Sequence, residues 1–439
     1  MNKNVAVVGA GIAGLTAGYY LKKYGYTVTV FEASNRVGGR MTTDRINDCL
    51  IDRGAQFLSS DYSTLLPLIH ELGMKSELVE TSAWMGIVRN HKINKISANN
   101  CFSPVTSGYL SLKEAFQFLL RMKRWKSKIV SLPLDDYAAW DNFDDEYADK
   151  FILREFGKNI LEYMIEPQMQ GFHYQSPEQT SRVHALMLLC FMLKKGKVMS
   201  LRYGMGSLPE KLATILDIKF NCSILSLNIA PAGNVTLESS TGKFYADRVI
   251  LAAPASIGKD IFKSSNEIET KLLQTQYSST INIGIATDSN WTLPKELREV
   301  YGILIPRRER QRIAGIGIES RKGAGRVKEG ELFDIMLDSR HVSELFEMTN
   351  DEILKTILPE LENYFPRLSE SIRLSHFTRW KDAEPISSLG RGKNIKKYKE
   401  TLNSSAQVIL AGDYMGFPYT DSAAFTGKWA ADFIKRAEI

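Results

Sequence analysis

The chain has 439 residues, of which 44% are hydrophobic and 24% are charged, and its formal net charge is +6. This length and ordinary globular composition predict two or more domains. The basic excess is mild and contains no block of lysine and arginine alone, so a nucleic-acid partner is not expected. The cysteines Cys49, Cys101, Cys190 and Cys222 have no CxxC spacing, so neither a metal site nor a disulfide framework is predicted.

The N-terminal segment predicts a β-α-β unit of the buried, parallel type. Residues 5–8 form a short apolar run typical of a strand buried on both faces, and residues 12–23 have a helical pattern that Gly25 ends. Residues 27–31 (TVTVF) predict a second strand. Glycines interrupt the first apolar run, no cleavage site follows, and no apolar stretch is long enough to span a bilayer. We therefore expect a cytoplasmic protein with reduced thiols.

The middle of the chain changes character twice. After residue 76, helical spacing replaces short strands, and helices are predicted at 112–132 and 151–169. Strand patterns return near residue 216 and at 280–318, and a strand at 408–411 precedes a final helix at 423–436. This alternation predicts an α/β fold in which a Rossmann-like nucleotide domain is interleaved with an α+β substrate domain that contains a mixed or antiparallel sheet. The predicted nucleotide domain comprises 1–75, 200–262 and 404–439, and the substrate domain comprises 76–199 and 263–403.

The turn after the first predicted strand carries a dinucleotide-binding motif. The sequence GAGIAG at 9–14 directly follows a strand and opens a helix, which is the context that GxGxxG requires. Gly9 permits the tight turn, Gly11 lets the backbone approach a pyrophosphate, and Gly14 allows close helix–strand packing. The helix N-terminus offers unpaired N–H groups to the phosphates. Glu32, at the end of the second strand, is placed to accept hydrogen bonds from the ribose hydroxyls, and it would repel the 2′-phosphate of NADP. The alternative interpretation is a tight turn followed by a surface glutamate.

A second glycine pair follows in Arg36-Val37-Gly38-Gly39-Arg40. A fold that binds only NAD does not need this pair, whereas FAD has a longer reach. The slim backbone at Gly38 and Gly39 would allow Arg40 to meet the pyrophosphate, because a guanidinium matches phosphate oxygens in pairs. A basic loop with a glycine turn is the alternative. Together, the two motifs predict FAD.

Further motifs recur along the whole chain in a fixed order. They are GAGIAGL (9–15), FEASNRVGGR (31–40), DRGAQF (52–57), YGMGSL (203–208), ADRVI (246–250) with Pro254, RWKDAEP (379–385), LAGD (410–413) and DSAA (421–424). In these motifs and their order, the chain resembles the flavin amine oxidase and protoporphyrinogen oxidase superfamily, which also holds phytoene-type desaturases. The first two motifs and the last are specific, and the middle ones only support them.

The resemblance implies where FAD would be bound. It puts residues 54–57 beside the isoalloxazine ring, Ile224 at the adenine, and Gly412–Asp413 at the ribityl chain or pyrophosphate. Ser422 and Ala423 are expected to present backbone N–H groups to the flavin N1–O2 edge, where a helix N-terminus stabilises the charge of reduced flavin. No cysteine lies near this last motif, so the FAD should be non-covalent. The implied cofactor-binding residues are Gly9, Gly11, Ala13, Gly14, Glu32, Ala33, Arg36, Gly38, Gly39, Arg40, Met41, Gly54, Ala55, Gln56, Phe57, Ile224, Trp380, Gly412, Asp413, Ser422 and Ala423. Trp380 resembles a tryptophan near the flavin, with a core aromatic as the alternative.

The substrate side is implied by fewer residues. Tyr419 matches an aromatic cage residue of amine oxidases, with a tyrosine that only packs as the alternative. Gln170 and Gly171 lie in a segment that resembles the substrate domain of the protoporphyrinogen oxidase and desaturase branches of the superfamily. In those branches, a glycine of this segment faces the flavin ring. The family's flavin-facing lysine, expected in 280–285, is absent. This absence favours the protoporphyrinogen oxidase-like or desaturase branches.

The predicted helix at 112–132 combines basic and apolar residues. Its basic residues are Lys113, Arg121, Lys123, Arg124, Lys126 and Lys128, and its apolar residues include Phe116, Leu119, Leu120 and Trp125. A solvated helix that covers the substrate domain is the favoured interpretation. The alternative is an amphipathic helix that rests on a membrane surface.

The sequence therefore predicts an FAD-dependent oxidase or dehydrogenase, protoporphyrinogen oxidase-like, that moves a hydride from a C–H bond of a small organic substrate to flavin N5. No catalytic residue can be assigned. The alternatives are an amine or amino-acid oxidase that releases hydrogen peroxide, a carotenoid-type desaturase, a non-redox flavoprotein isomerase, and a flavin-binding scaffold. A monomer or a homodimer is expected.

Overall fold

The computed structural model describes residues 3–97, 100, 102–230 and 233–437. Within these ranges Cys49, Cys190 and Cys222 are buried and form no disulfide, while Cys101 lies outside the described residues. No described helix combines the length and the apolar character needed to cross a bilayer. No group of three or more histidine, cysteine, aspartate or glutamate side chains in these ranges is arranged to hold a metal ion.

The described chain folds into twenty strands and fifteen α-helices, besides short 3-10 and π-helical turns. The strands are β1 (Asn4–Val8), β2 (Thr27–Phe31), β3 (Thr43–Ile46), β4 (Cys49–Asp52), β5 (Leu58–Ser59), β6 (Leu78–Glu80), β7 (Trp84–Arg89), β8 (Lys92–Ser97), β9 (Val198–Leu201), β10 (Asp217–Lys219), β11 (Ile224–Ile229), β12 (Val235–Ser239), β13 (Gly242–Ala246), β14 (Arg248–Leu251), β15 (Tyr277–Thr287), β16 (Val300–Leu304), β17 (Ile313–Ile318), β18 (Leu332–Leu337), β19 (Ile372–Pro385) and β20 (Val408–Leu410). The helices are α1 (Ile12–Lys23), α2 (Leu65–Glu71), α3 (Ser103–Thr106), α4 (Leu112–Ile129), α5 (Ala148–Glu155), α6 (Lys158–Ile160), α7 (Glu166–His173), α8 (Arg182–Lys194), α9 (Ser207–Ala213), α10 (Ala255–Ile261), α11 (Glu267–Leu273), α12 (Ser339–Leu345), α13 (Asn350–Glu362), α14 (Arg391–Thr401) and α15 (Thr420–Arg436).

A five-stranded parallel sheet, in the order β10-β2-β1-β14-β20, forms the nucleotide-binding part. Its strands are short and apolar because both faces are covered, and β1 and β14 are almost entirely buried. Helices α1 and α15 pack on one face, and the three-stranded antiparallel sheet β11-β12-β13 packs on the other. Helices α1 and α15 pack so closely that a Cβ on Gly427 would lie 2.0 Å from the Ala13 carbonyl oxygen. The β1–α1–β2 unit confirms the predicted βαβ motif.

A seven-stranded sheet, in the order β19-β15-β18-β17-β16-β7-β8, forms the other large layer. All its neighbours are antiparallel except β16 and β7, which are parallel. A parallel sheet beside a mixed, mostly antiparallel one confirms the predicted fold class. The proposed domain boundaries stay a prediction, and β9 links segments across them by pairing with β5 and β6.

Two helices predicted from periodicity differ in the structure. The helix predicted at 112–132 ends at Ile129. The single helix predicted at 151–169 is wrong: α5 ends at Glu155, and Gly157 adopts a φ of 90°. A short α6 and one π-helical turn then lead into α7. The left-handed backbone at Gly157 breaks the helix, because a helix interior requires negative φ.

Candidate active site

A cavity of about 770 Å³ runs from the phosphate-binding turn after β1 to the face of the seven-stranded sheet. Its cofactor end is lined by the turns after β1, β2 and β20, and its sheet end by residues of β15–β18. Such a volume is within the usual range for ligand sites. Of the predicted site residues, the lining includes Gly9, Gly11, Ala13, Glu32, Ala33, Gly38, Gly39, Arg40, Met41, Gly54, Ala55, Gln56, Phe57, Gly171, Ile224, Trp380, Gly412, Asp413, Tyr419 and Ala423. Gly14, Arg36, Gln170 and Ser422 do not line it.

The glycine turn after β1 is built from backbone alone. Gly9 has a φ of 101°, which favours glycine. A Cβ on Gly11 would meet no atom within 4 Å, so the backbone there lies open to the cavity. A Cβ on Gly14, in contrast, would lie 2.0 Å from the Gly9 carbonyl oxygen. Gly11 therefore leaves room for a ligand, while Gly14 allows the helix to pack on the turn.

Glu32 is fixed at the end of β2 by hydrogen bonds to the neighbouring turns. Its Oε2 accepts from the Ala10 N–H at 2.8 Å, and its Oε1 accepts from the N–H and the hydroxyl of Ser34 at 2.9 and 2.7 Å. A carboxylate has about four acceptor positions, so capacity is left for ribose hydroxyls.

The two arginines that flank the second glycine pair have different partners. Arg36 donates to the Gly39 carbonyl at 3.0 Å and to the Thr42 hydroxyl at 2.6 Å, so it holds the loop and stays outside the cavity. Arg40 lies in the cavity wall, forms an ion pair with Asp413 at 2.5 Å, and donates to the Ala383 carbonyl at 2.7 Å. Its charge is balanced within the protein.

Residues 54–57 form a wall between the two ends of the cavity. The Ala55 N–H donates to the Arg40 carbonyl at 3.0 Å, and a Cβ on Gly54 would lie 2.6 Å from that same oxygen. The Gln56 side chain is held at both ends, by the Asp52 carbonyl at 3.2 Å and by Lys322 Nζ at 2.7 Å. Phe57 meets Phe172 edge to face, with ring centres 5.4 Å apart.

The turn from β20 into α15 closes the cofactor end. Gly412 has a φ of 123° and donates its N–H to the Thr426 hydroxyl at 2.9 Å. The Ser422 side chain is buried and donates to the Asp135 carbonyl at 2.6 Å. The predicted donor at Ala423 needs correction, because its N–H already donates to the Tyr419 carbonyl at 3.1 Å, as the fifth residue of a helix start must.

Three further predicted residues lie in the cavity wall. Ile224 begins β11, Met41 is buried behind the second glycine pair, and Trp380 donates its Nε1–H to the Arg53 carbonyl at 2.7 Å. The open backbone at Gly11, the acceptor at Glu32 and the slim backbone at Gly38–Gly39 surround one space. This donor and acceptor set fits FAD.

Of the three residues predicted to contact the substrate, Tyr419 and Gly171 line the cavity and Gln170 does not. Tyr419 lines the cavity, but its ring is stacked on Tyr62 at 5.6 Å and on Phe417 at 5.8 Å, and its hydroxyl donates to the Leu134 carbonyl. Gly171 lines the cavity where α7 approaches β16. Gln170 does not, because its buried side chain donates to Asp338 at 2.6 Å and to Ser339 at 3.0 Å. The predicted substrate contact at Gln170 is thus wrong, because its side chain is hydrogen-bonded to the start of α12.

Sequence reasoning missed a buried charged network behind the sheet end of the cavity. Lys322 Nζ, fully buried, lies 2.8 Å from Asp52 and 2.9 Å from Glu319. Arg326 lies 2.7 Å from the same Asp52 oxygen. Burial alone would raise the pKa of Asp52, but Arg326 and Lys322 lower it to about 2. Lys322 follows β17 and lies far along the chain from 280–285, where a family lysine was sought.

Asp334, in the middle of β18, is the second missed residue. It lines the cavity and is 3% exposed, and neither of its oxygens has a hydrogen-bond partner of normal geometry in the described part of the chain. Burial, followed by the charge of Glu319, raises the pKa of Asp334 to about 8. The sequence held a signal: Asp334 is the only charged residue in the strand LFDIML.

Glycines lie beside Asp334 on the neighbouring strands of the sheet. Asp334 pairs with Gly284 on β15 and with Gly317 on β17, and Gly317 pairs with Gly302 on β16. Gly302 and Gly317 both line the cavity. The unpartnered oxygens Thr280 Oγ1 and Asn282 Oδ1 belong to other lining residues of this end. We call this part of the cavity wall, which carries acceptor oxygens of Asp334, Thr280 and Asn282, the Asp334 trough.

Positive charge is scarce along the cavity. Of the described residues that line it, Arg40 is the only lysine or arginine, and Asp413 neutralises it. His173 also lines the cavity, but burial lowers its pKa to about 4, so the ring is neutral at pH 7. Its Nδ1 lies 3.0 Å from the Pro418 carbonyl oxygen.

Comparison with known proteins identifies the family. The model for flavin containing amine oxidoreductases matches residues 12–434. Protoporphyrinogen oxidase 2 of Arabidopsis thaliana is 25% identical over 98% of this chain and 94% of its own length. Coproporphyrinogen III oxidase of Bacillus subtilis is 21% identical over 99% of this chain and 96% of its own length. The structure of cyclohexylamine oxidase from Brevibacterium oxydans superposes with a TM-score of 0.77 at 16% identity, covering 100% of both chains.

The chain belongs to the flavin-containing amine oxidoreductase family. It is an FAD-dependent oxidoreductase, and its FAD is bound non-covalently, as is typical of the family. These relatives include both porphyrinogen oxidases and amine oxidases, so the family alone does not identify the substrate.

Proposed function

We propose that the chain oxidises a small substrate that carries a protonated amine, and that the Asp334 trough binds that amine. The carrying observation is the buried carboxyl group of Asp334 in the cavity wall, which forms no ion pair and no hydrogen bond of normal geometry within the described residues. Bound FAD supplies the hydride acceptor, its N5 atom. The residues of the chain bind and orient the substrate, and they keep water away from the reacting carbon.

The charges around the trough support a cationic ligand. Asp52, Glu319 and Asp334 are three acids, whereas Lys322 and Arg326 are the two bases that contact this group. One carboxyl group is therefore left over, and it must either hold a proton or receive a cation. Burying an unpaired charge is costly, so an ammonium group at Asp334 would complete the network.

The nitrogen held at Asp334 is not the one next to the oxidised carbon. An ammonium group has no lone pair to assist loss of hydride from the adjacent carbon, and a carboxylate partner keeps it protonated. The reacting C–H bond must then lie further along the substrate, towards residues 54–57. This reasoning favours a substrate with two functional ends, such as a diamine.

The reacting amine must be neutral when its hydride leaves, so we infer that it binds as the free base, because His173 and Gln56 are not available to take its proton. His173 is neutral and bonded to a carbonyl, and Gln56 is held by Lys322. The rings of Phe57, Phe172 and Trp380 are placed to orient a flat or extended substrate. Positioning, rather than proton transfer by a side chain, is the contribution that these residues can make.

Porphyrinogen oxidation is the second candidate. It is supported by two relatives whose similarity spans nearly the whole of this chain. A porphyrinogen carries carboxylates, and at the sheet end these would meet the acidic side chains of Glu319 and Asp334. Among the described residues of the cavity wall, no unpaired lysine or arginine is available to bind them. The porphyrinogen would then have to bind with its carboxylates towards solvent.

The test is anaerobic bleaching of the bound flavin by matched compounds. We would compare 1,6-diaminohexane, hexylamine and 6-aminohexanoate with neighbouring chain lengths, and protoporphyrinogen and coproporphyrinogen beside them. Bleaching by a diamine, with aldehyde, ammonia and hydrogen peroxide formed in air, supports the proposal. Porphyrinogen turnover without diamine turnover rejects it in favour of the second candidate. Bleaching by neither class rejects both and favours the desaturase, isomerase or scaffold alternatives.

A further inference from the structure

Helix α4 exposes large apolar side chains to solvent. Leu112, Phe116, Leu119 and Leu120 are 76%, 63%, 65% and 55% exposed, and we call these four residues the α4 outer face. They stand at positions i, i+4, i+7 and i+8, which share one side of a helix. Phe102, just before α3, is also exposed. Isolated exposed leucines are common, whereas a continuous apolar stripe is not.

The fold does not need the α4 outer face for its own packing. The helix is anchored by its opposite side, where Met122, Trp125 and Ile129 are buried in the core. Its N-terminus is also complete, because Ser111 and Glu114 form a capping box. The outer stripe is therefore additional to what holds the helix in place.

Basic side chains surround the α4 outer face. The helix carries Lys113, Arg121, Lys123, Arg124, Lys126 and Lys128, and in the described part of the chain Lys113, Arg121, Lys123 and Lys126 form no ion pair. The one acid, Glu114, is occupied by its cap and by Arg89 at 3.5 Å. The net charge of the whole chain is +6, so much of its excess is carried by this helix.

We propose that the α4 outer face docks on the surface of an anionic lipid bilayer, with its leucines and Phe116 at the boundary between headgroups and acyl chains. An apolar stripe flanked by lysine and arginine is the pattern that lies in such an interface. Basic residues near an anionic surface add attraction. A second copy of the chain fits less well, since a symmetric contact would bring the two basic helices together.

The experiment measures binding of the intact, FAD-loaded protein to vesicles by co-sedimentation. Vesicles of phosphatidylcholine mixed with phosphatidylglycerol are compared with vesicles of phosphatidylcholine alone. We expect clear binding to the anionic vesicles, weakened by salt, and much weaker binding to the neutral ones. Phe116→Ser with Leu119→Ser should lower the partition coefficient by about tenfold or more. Lys123→Glu with Lys126→Glu should lower it by about tenfold at low salt.

Matched controls change similar residues elsewhere. Leu225→Ser removes a leucine that is 59% exposed on β11, and Lys295→Glu reverses an exposed charge before β16. Both should bind vesicles like the unchanged protein, and all variants should retain flavin absorbance. Absence of wild-type binding, equal binding to neutral vesicles, or equal loss in the controls would overturn the proposal. So would a dimer in sedimentation velocity that the Phe116/Leu119 pair disrupts.

Discussion

The two ends of the cavity are built in different ways. At the cofactor end, the cavity wall is formed mainly by backbone, because Gly9, Gly11 and Gly412 carry no side chain. Among the described residues of the wall, Arg40 is the one lysine or arginine, and it forms an ion pair with Asp413. At the sheet end, side chains from separate strands meet, and Asp334 forms no ion pair and no hydrogen bond of normal geometry within the described residues. The first end suits one fixed ligand with phosphates and a ribose. Under the proposed function, the amine of the substrate completes the second end.

The contrast teaches why members of one family share a cofactor and differ in substrate. A backbone cradle tolerates few changes, because added atoms collide with the chain or with the ligand. A side-chain trough can change its charge by a single substitution on β15–β18 without altering the cradle. The predictions below test this division, beginning with the largest expected effect.

Gly14 and Gly11 should separate folding from cofactor binding. Gly14→Ala would bring a Cβ to 2.0 Å from the Gly9 carbonyl oxygen, so the turn and α1 must move apart. We expect a loss of about 4 kcal/mol in the free energy of unfolding, together with loss of flavin. Gly11→Ala meets no protein atom within 4 Å, and should keep the melting temperature of the apoprotein while weakening FAD binding. Equal destabilisation by both would contradict the proposed roles.

Lys322→Met should be the most costly change at the sheet end. It would leave the buried carboxylate Glu319 without its cation and Asp52 with only Arg326. The expected loss is about 3–5 kcal/mol of unfolding free energy, measured by urea denaturation. Adding Glu319→Gln to this variant should recover part of the loss. The exposed Lys295→Met serves as the control, and a small effect of Lys322→Met would mean that water reaches the network.

Asp334 should make cation binding depend on pH. Burial and Glu319 raise its pKa to about 8 in the free protein, so below pH 8 the carboxyl is mostly neutral. The affinity for a permanently charged alkyltrimethylammonium ion should therefore rise by about tenfold per unit up to pH 8 and level off above it. The groups that interact with Asp334, besides Glu319, include Lys322, Asp52, Asn282, Tyr174 and Tyr301.

The isosteric variant Asp334→Asn should remove this pH dependence and leave flavin absorbance and melting temperature nearly unchanged. The readout is perturbation of the flavin spectrum during titration with the cation. If the affinity of Asp334→Asn for the cation still rises with pH, the pH dependence belongs to another group. If the affinity of the unchanged protein does not vary with pH, Asp334 is not the group that binds the cation.

Trp380→Phe should have the smallest effect of the set. It removes the hydrogen bond from Nε1 to the Arg53 carbonyl and part of a ring that packs near Met336 and Ala383, so a loss of about 1–2 kcal/mol in unfolding free energy is expected. Flavin content should not change. A large loss of FAD in this variant would show that the ring itself holds the cofactor, and would favour the role that the family resemblance implies.

The cofactor end was largely predictable from the sequence because its determinants are local. The glycine spacing at 9–14, Glu32 at the end of β2, and the pair Gly38–Gly39 encode a turn, an acceptor and a slim loop within forty residues. The strands around them are short apolar runs that periodicity identifies. Ala423 is the exception, since one position along a helix start decides whether an N–H is free.

The sheet end could not be predicted because its parts are far apart in the chain. Lys322 and Asp52 are 270 residues apart in the sequence, and only the tertiary fold brings them into contact. No sequence motif with a fixed spacing connects the two positions. Asp334 could have been suspected as a lone acid in an apolar strand, but its lack of partners depends on glycines in the adjacent strands. The failed helix at 151–169 has a local cause in Gly157, where φ is 90°.

The strand order β10-β2-β1-β14-β20 has a consequence for how the protein is made. During translation β1 and β2 leave the ribosome early, but their neighbours β10, β14 and β20 follow much later. At ordinary rates of synthesis, on the order of tens of seconds separate β2 from β20. Through that interval the nascent chain carries a finished glycine turn beside unpaired apolar strand edges, which are prone to aggregate. Because Gly412 and Asp413 line the same cavity as Gly9 and Gly11, we expect that FAD is loaded only after release of the chain.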